Sequence, residues 1–375
     1  MKKSRKVIAS VLLALLILAL FMFLDANKAR YGMAYTVLQK GIIMAVVAVS
    51  MNLVTGFTGL FSLGQAGFMA IGAYVTAIFM IPAEHIQDVY YISGISPAIL
   101  EFKLWLESLP SWVQAISPYF TLLLGGLVAA LCAALIGIPV LRLKSDYLAI
   151  ATLGFSEIVR AIISSPQMDT ITNGSYGLKK IPGFSSMVQT GIIAAVCIAF
   201  MVLLLQSTYG RAFKAIREDE TAAEAMGINL FKHKQLSFII GSFFSAVAGG
   251  MLAMFMRSID SKTFSITLTY DILLIVVIGG IGSATGSIIS AILVTLSKEW
   301  WLRFFDNPLS IGGFKVPLFR TGFRMVIFSI ILLVVVLFYQ RGIMGKNEFS
   351  WERVGNRMKG LKDMIGSKKG GAKDV

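Results

Sequence analysis

The sequence predicts an all-α polytopic membrane protein with about ten transmembrane segments, some of them short helices broken at glycine. Three observations predict it. Of 375 residues, 56% are hydrophobic and only 14% charged, against roughly 25% charged in an ordinary soluble domain. Mean hydropathy is +0.77. Apolar runs long enough to cross a bilayer recur along the chain. This balance excludes a disordered chain, a nucleic-acid-binding tail and a conventional soluble enzyme. The net charge of +14 has a simpler cause than nucleic acid, because membrane proteins collect Lys and Arg on their cytoplasmic loops.

A spanning helix needs about 20 mostly apolar residues to cross about 30 Å of hydrocarbon. The first run, 7–24, follows Lys2, Lys3, Arg5 and Lys6. A cleaved signal peptide would have a shorter core and a small-residue cleavage site. No clear site of that kind follows Leu24, so 1–32 is expected to be a basic tail and a first transmembrane helix. Further runs lie at 33–54, 60–81, 119–141, 147–164, 187–206, 236–256, 270–297 and 323–340. The run 270–297 carries Gly279, Gly280, Gly282 and Gly286 in its middle and reads as one span or as two short ones.

Charge decides between the two. Four basic residues precede Val7 and nine follow Gln340. Both ends are therefore expected in the cytoplasm, which demands an even number of crossings. One span at 270–297 gives an odd total, and a break near Gly282 gives the even one. That arrangement puts 20 of the 34 basic residues on the cytoplasmic side, while the external loop 298–324 still holds five.

Between the spans, 82–118 is the long external insertion, with Pro82, Pro97, Pro110 and Pro118 as breakers. Ile99, Phe102, Trp105, Leu106, Leu109, Trp112, Val113 and Ile116 recur there at helical spacing. This predicts an interfacial helix pair on the outer surface; the functional alternative is a docking surface for an external partner. In the tail 346–375, Trp351, Val354, Met358, Leu361 and Ile365 share one helical face among basic residues. That is the pattern of a cytoplasmic amphipathic helix on anionic lipid.

Enzymatic signals are poor. No G-x-x-x-x-G-K-[ST] phosphate loop occurs, and Gly342 to Asn347 has the wrong spacing. No H-E-x-x-H or C-x-x-C appears. Cys132 and Cys197 both lie in apolar runs and imply no disulfide framework. The informative residues are glycines and polar groups inside apolar runs. The stretch 52–74 holds Gly56, Gly59, Gly64, Gly67 and Gly72, together with Asn52, Ser62 and Gln65. Small residues let membrane helices pack closely. Broken backbone at depth is tolerated only if it is buried in protein or lines an aqueous cavity. The amide and hydroxyl groups favour the cavity reading, because in hydrocarbon they need partners. Glu157 and Arg160 lie three apart in one run, as an internal ion pair or as a contact to a polar solute or partner chain.

The polar connection 207–235 is the strongest single signal. Glu218, Asp219 and Glu220 suit a helix N-terminus. Ala222, Ala223, Ala225 and Met226 are good helix formers. Gly227 fits the left-handed stop position. A short helix should lie across the inner face, either as a solvated loop or as a lever gripped by another subunit.

With these residues in place, the chain resembles the permease subunits of ATP-binding-cassette importers for branched-chain amino acids, of the LivM-like kind. The resemblance covers roughly 33–345. Its closest stretch is PVLRLKSDYLAIATLGFSEIVR at 139–160. GRAFKAIREDETAAEAMG at 210–227 is similar to the family's cytoplasmic coupling loop, with Glu224, Ala225 and Gly227 matching the "EAA…G" signature. The glycine-rich stretch 52–74, GGIGS at 279–283 and RGI at 341–343 complete it. Thr172 to Gly177 departs from the Gly-Gly-Pro/Ser-Asn-Gly turn often found there. The external stretches 82–118 and 299–322 are longer than usual.

The resemblance implies the importer permease fold and a place in a larger machine. A second permease subunit (LivH-like) completes the path, two cytoplasmic ATPases bind ATP and Mg below, and an external solute-binding protein delivers the amino acid. This chain is then a transporter subunit with no cofactor of its own, in the cytoplasmic (inner) membrane of a bacterium. The residues implied in ATPase coupling are Arg217, Glu218, Asp219, Glu220, Glu224, Ala225 and Gly227. Asn52, Ser62, Gln65, Thr152, Ser156 and Glu157 are the candidates for the translocation path. The alternatives are an importer of the same class for urea, amides or another small polar solute, and a stand-alone secondary amino acid transporter. The latter needs ion-coupling carboxylates within its spans, and only Glu157 qualifies.

Overall fold

The computed structural model describes residues 3–91, 94–108, 110–143, 145–302, 310–311, 314–315, 323–338, 342–345 and 348. The amphipathic helix expected in the tail lies outside the described residues. The elements in order are α1 (Lys3–Ala26), α2 (Gly32–Asn52), α3 (Gln65–Met80), α4 (Ile86–Val89), α5 (Pro97–Glu107), α6 (Ser111–Val140), α7 (Ser145–Ile163) and α8 (Asp169–Thr172). They continue as α9 (Met187–Gln206), α10 (Thr208–Glu218), α11 (Glu220–Ala225), α12 (Leu230–Met256), α13 (Ile266–Gly279), α14 (Ala284–Glu299) and α15 (Phe323–Phe338). A two-residue hairpin, β1 (Ser310–Ile311) with β2 (Phe314–Lys315), is the sheet among the described residues.

Four helical stretches are long and apolar enough to cross a membrane: Gly32–Phe57, Ile116–Val140, Met187–Gln206 and Leu230–Met256. Counting each of two bent pairs as one span makes six: Gln65–Met80 with Ala83–Val89, bent by 100°, and Asp146–Ile163 with Pro166–Thr172, bent by 61°. Ser10–Ala26 and Ile266–Gly279 are shorter apolar helices. The molecule is therefore a polytopic helical membrane protein. Leu16, Leu131, Leu135, Val196, Leu203 and Leu333 stand exposed on α1, α6, α9 and α15, a belt that only lipid or another apolar surface can cover.

The core is built around α2 and α12. A helix that is apolar all round belongs inside a bundle, and nearly every residue of α2 from Gly41 onward is buried. Small residues set the closest crossing. A Cβ on Gly72 would lie 2.0 Å from the Ala246 carbonyl oxygen, and one on Gly249 would lie 2.0 Å from that of Met69. The backbones of α3 and α12 thus touch directly, as small-residue packing permits. α6 joins them, with Gly125 beside the Gly72 carbonyl.

α14 runs antiparallel to α2: Asn52 bonds Ser287 near the start of α14, while Lys40 Nζ lies 2.5 Å from Glu299 Oε1 at its end. α13 folds back along α14, with Lys298 Nζ 2.6 Å from Asp271 Oδ2. The run 270–297 is therefore two helices with a break at 280–283. One expectation fails: Pro118 does not break its helix but lies inside α6, as does Pro139. Proline removes its own N–H from the ladder and crowds the carbonyl four residues earlier, and membrane helices tolerate it where neighbouring groups take up the freed bond.

α5 packs across one end of α3. Phe102 meets the Phe79 ring, and Lys103 Nζ donates to the Ile78 carbonyl at 3.2 Å, although Trp105 of the same helix is exposed. The connection after α7 closes over the same end. Tyr90 donates to the Ile171 carbonyl at 2.6 Å, and Asn173, at φ 56°, donates to the Val89 and Gly177 carbonyls. The Lys180 ammonium, hydrogen-bonded to exposed Asp88, holds that carboxyl below its ordinary value.

Candidate functional site

Two backbone breaks meet at one end of the bundle. The first follows α2. Its helix widens to a π turn at Leu53–Phe57, then runs irregularly through 58–64 before α3 begins. π turns inside helices often mark functional places. Gly59 takes φ +79° here, and Gly56 is required by contact, since a Cβ on it would lie 1.7 Å from Asn52 Oδ1. The second break is the tip of the α13–α14 hairpin, where Gly280 and Gly282 take φ of 112° and 91°. Side chains with a Cβ rarely adopt these values.

Asn52 fastens one break to the other. Its Oδ1 accepts from the Gly282 N–H at 2.8 Å. Its Nδ2 donates to the Ser283 carbonyl at 2.9 Å, to Ser287 Oγ at 2.7 Å and, more distantly, to the Gly280 carbonyl. The residue is fully buried, so its amide is spent on holding the two breaks together. The turn 342–345 seats on the other side of the tip. The Ile343 and Met344 N–H groups donate to the Ile278 and Gly279 carbonyls. Beyond it, the Glu348 carboxylate accepts from the Ala284 N–H at 2.8 Å and the Thr285 hydroxyl at 2.8 Å. An anion there suits the positive end of α14.

The backbone of 58–67 is satisfied by hydroxyls. Thr152 Oγ1 on α7 accepts from the Leu63 N–H at 2.9 Å, and Ser156 Oγ accepts from the Gly67 N–H at 3.2 Å. Ser62 Oγ accepts from the Gly64 N–H at 3.4 Å. Gln65 accepts from Ser245 of α12, whose hydroxyl also meets Ser50 at 2.8 Å. Thr58 bonds Ser237 at 2.7 Å. These bonds take up backbone groups that the break leaves without helical partners, while Gly59 and Phe61 stand exposed.

α7 has two faces. Leu148, Thr152, Ser156, Val159 and Ile163 are buried, while Tyr147, Ile150, Ile158 and Ile162 are exposed and nothing lies within 4 Å of a Cβ on Gly154. Glu157 and Arg160 lie at the margin and pair directly, with Arg160 Nε 2.9 Å from Glu157 Oε2. Of the two readings of these residues, the internal pair is formed.

The connection 207–229 folds as two helices. α10 ends at Glu218, and Asp219 in extended geometry caps α11 by accepting from the Ala222 N–H at 3.0 Å. α11 stops at Gly227, φ +84°, where the Gly227 N–H donates to the Glu224 carbonyl and the Ile228 N–H to that of Ala223. This is the paired-bond helix stop that a left-handed glycine makes. Phe213, Ile216 and Ala223 face inward; Glu218, Glu220, Glu224, Ala225 and Met226 are exposed. Arg217 turns to the junction instead, its Nη1 donating to the Gly56 carbonyl at 2.5 Å.

The structure thus brings Asn52, Ser62, Gln65, Thr152 and Ser156 together around the first break and leaves Glu157 apart on α7. Sequence reasoning missed Ser50, Ser237 and Ser245, which complete the network from α2 and α12, and Glu348. The serines carry a signal, since hydroxyls at helical spacing in an apolar run need partners. Glu348 carries none. Among the described residues no group of His, Cys, Asp or Glu could hold a metal ion.

Residues 33–337 match the profile of the family described as "Branched-chain amino acid transport system / permease component". The chain belongs to that family. It is 32% identical to the high-affinity branched-chain amino acid transport system permease protein LivM of Salmonella typhimurium, over 73% of this chain and 65% of the relative. It is 31% identical to the Escherichia coli protein of the same name, over 81% and 71%. With the probable LivM of Methanocaldococcus jannaschii it shares 24% over 80% of this chain and 89% of that one. Proteins named LivH match more weakly, the Escherichia coli one at 24%. No solved structure matches the chain. In this permease both breaks and the α10–α11 connection fall within the family's matched region, and the turn at 342–345 lies just beyond it.

Proposed function

We propose that this chain is a transmembrane permease subunit of an ATP-driven importer for leucine, isoleucine and valine in a bacterial cytoplasmic membrane. A second permease completes its path, two cytoplasmic ATPases bind ATP and Mg, and an external binding protein supplies the solute. The observation that carries this is the α10–α11 connection within a chain of this family. Its inner residues anchor in the bundle, and its acidic outer face is exposed to a motor, with Glu220 braced by Lys234 of α12. LivM and LivH proteins are both named as permeases of branched-chain systems, which supports a paired permease.

α1, α2, α3, α6, α7, α9, α12, α13, α14 and α15 serve as ten crossings, with both termini inside. The antiparallel course of α2, α14 and α13 supports that count. Glu218, Glu220, Glu224 and Ala225 form the docking face, shaped by the Asp219 cap and the Gly227 stop. ATP-driven closure of the motor shifts this face and rocks the spans, an equilibrium that nucleotide moves only by binding the states differently. Asn52, Ser62, Gln65, Thr152 and Ser156 hold broken helix ends whose dipoles can meet the carboxylate and amine of a zwitterion. The open face of α7, with Glu157 at its margin, borders the path.

The test is uptake into proteoliposomes holding the complete transporter and its binding protein. ATP should drive leucine uptake that isoleucine and valine inhibit, and that survives collapse of the proton gradient. Glu224→Arg should release the ATPases and abolish uptake while the chain still inserts. Uptake that dies with the gradient, or is inhibited by urea and not by valine, refutes the reading.

A further inference from the structure

The resemblance implies that Arg217 is one of a set of residues facing the ATPases; the geometry separates it from them. α10 is pinned by Phe213 and Ile216, both buried, while Arg217 on the same turn is half-buried and turned toward the two breaks. Its Nη1 donates to the Gly56 carbonyl at 2.5 Å. A Cβ on Gly59 would lie 3.3 Å from Arg217 Cα, and a Cβ on Gly282 only 2.4 Å from Nη1. The Arg217 stem thus lies against Gly59 of the first break and its guanidinium against Gly282 of the hairpin tip. Lys214, one turn earlier, places its ammonium 5.6 Å over the Phe57 ring of the same π turn.

The electrostatics favour a cation at this spot. Gly56 lies in the last turn of the α2 rod, and Gly282 follows the end of α13. Gly56 is thus at a C-terminal helix end, where the dipole is negative, while Gly282 lies between the end of α13 and the Ser283 cap of α14. A planar guanidinium has donors enough to address more than one carbonyl, which an ammonium does not do as well. Asn52 already ties the two breaks to each other. One side chain therefore grips a joined pair.

We infer that Arg217 is a positioning residue, the strut that carries displacement of the α10–α11 connection into both backbone breaks at once, and not a contact to the ATPases. The inference rests on the reading of 207–235 as the coupling segment. It divides that segment into an outer docking face and a single inward link.

Three variants in the complete reconstituted transporter test it: Arg217→Met, Arg217→Lys and Glu224→Arg. The measurements are co-purification of the ATPases and solute taken up per ATP hydrolysed. Arg217→Met should keep the ATPases bound and lower uptake per ATP about tenfold, the factor carried by one charged hydrogen bond. Arg217→Lys keeps the cation without the fork and should lower it about threefold. Loss of ATPase co-purification in either Arg217 variant would make Arg217 a docking contact and overturn the inference while leaving the importer reading intact. Wild-type uptake per ATP in either would overturn it as well, and the Lys variant carries the test alone if the Met variant does not accumulate. If Glu224→Arg keeps its ATPases, the docking face is wrong; the Arg217 ratio still decides the strut.

Discussion

Asn52 shows why one buried amide matters more than its neighbours. It offers the Gly282 N–H its acceptor and gives the Ser283 carbonyl and the Ser287 hydroxyl a donor. Replacing it with leucine leaves a buried N–H and a buried carbonyl without these partners. Each unsatisfied group costs about 1–3 kcal/mol, so Asn52→Leu should destabilise the protein by about 3 kcal/mol. A thermal-unfolding series in detergent would show a lower midpoint, and an unchanged midpoint would mean the tip is held by other contacts. At this scale the sequence is half legible. A polar residue in an apolar run announces that it needs partners, but not whether those partners are a solute or the protein's own backbone. For Asn52, Thr152 and Ser156 the partners are backbone groups more than two hundred or about ninety residues away, a distance that no local pattern encodes.

At the scale of elements, the connection between α9 and α12 was the most readable. Its cap, its helix formers and its glycine stop are all local chemistry, and the helix forms where they put it. The cap can be tested directly. Asp219→Ala removes the acceptor for the Ala222 N–H and should cost about 1 kcal/mol. In a six-residue helix that loss should appear as faster hydrogen exchange at 222–226 with little change elsewhere. Protection equal to wild type would show that packing of Ala223, rather than the cap, holds the helix. The glycines of 279–283 were readable too, since only a break relieves such a run. Pro118 misled because proline is a strong breaker only where nothing else supports the helix, and α6 has neighbours along its length.

For the whole molecule, the sequence shows membrane residence and rough span limits. It does not reveal that the two breaks and the turn at 342–345 converge on one point. That convergence is a product of topology, with α2, α13 and α14 bringing their ends to the same level. The proposed ten crossings with both termini inside make a simple prediction. A reporter fused after residue 345 should be active only in the cytoplasm; an active periplasmic reporter there would require an odd number of crossings.

The crossing of α3 over α12 carries a further consequence. Glycine at 72 and at 249 lets main chain press on main chain, without side chains between them to act as bearings. Such a joint neither slides nor rolls without steric collision. In the proposed transport cycle these two rods therefore move as one body, and the other spans hinge around them.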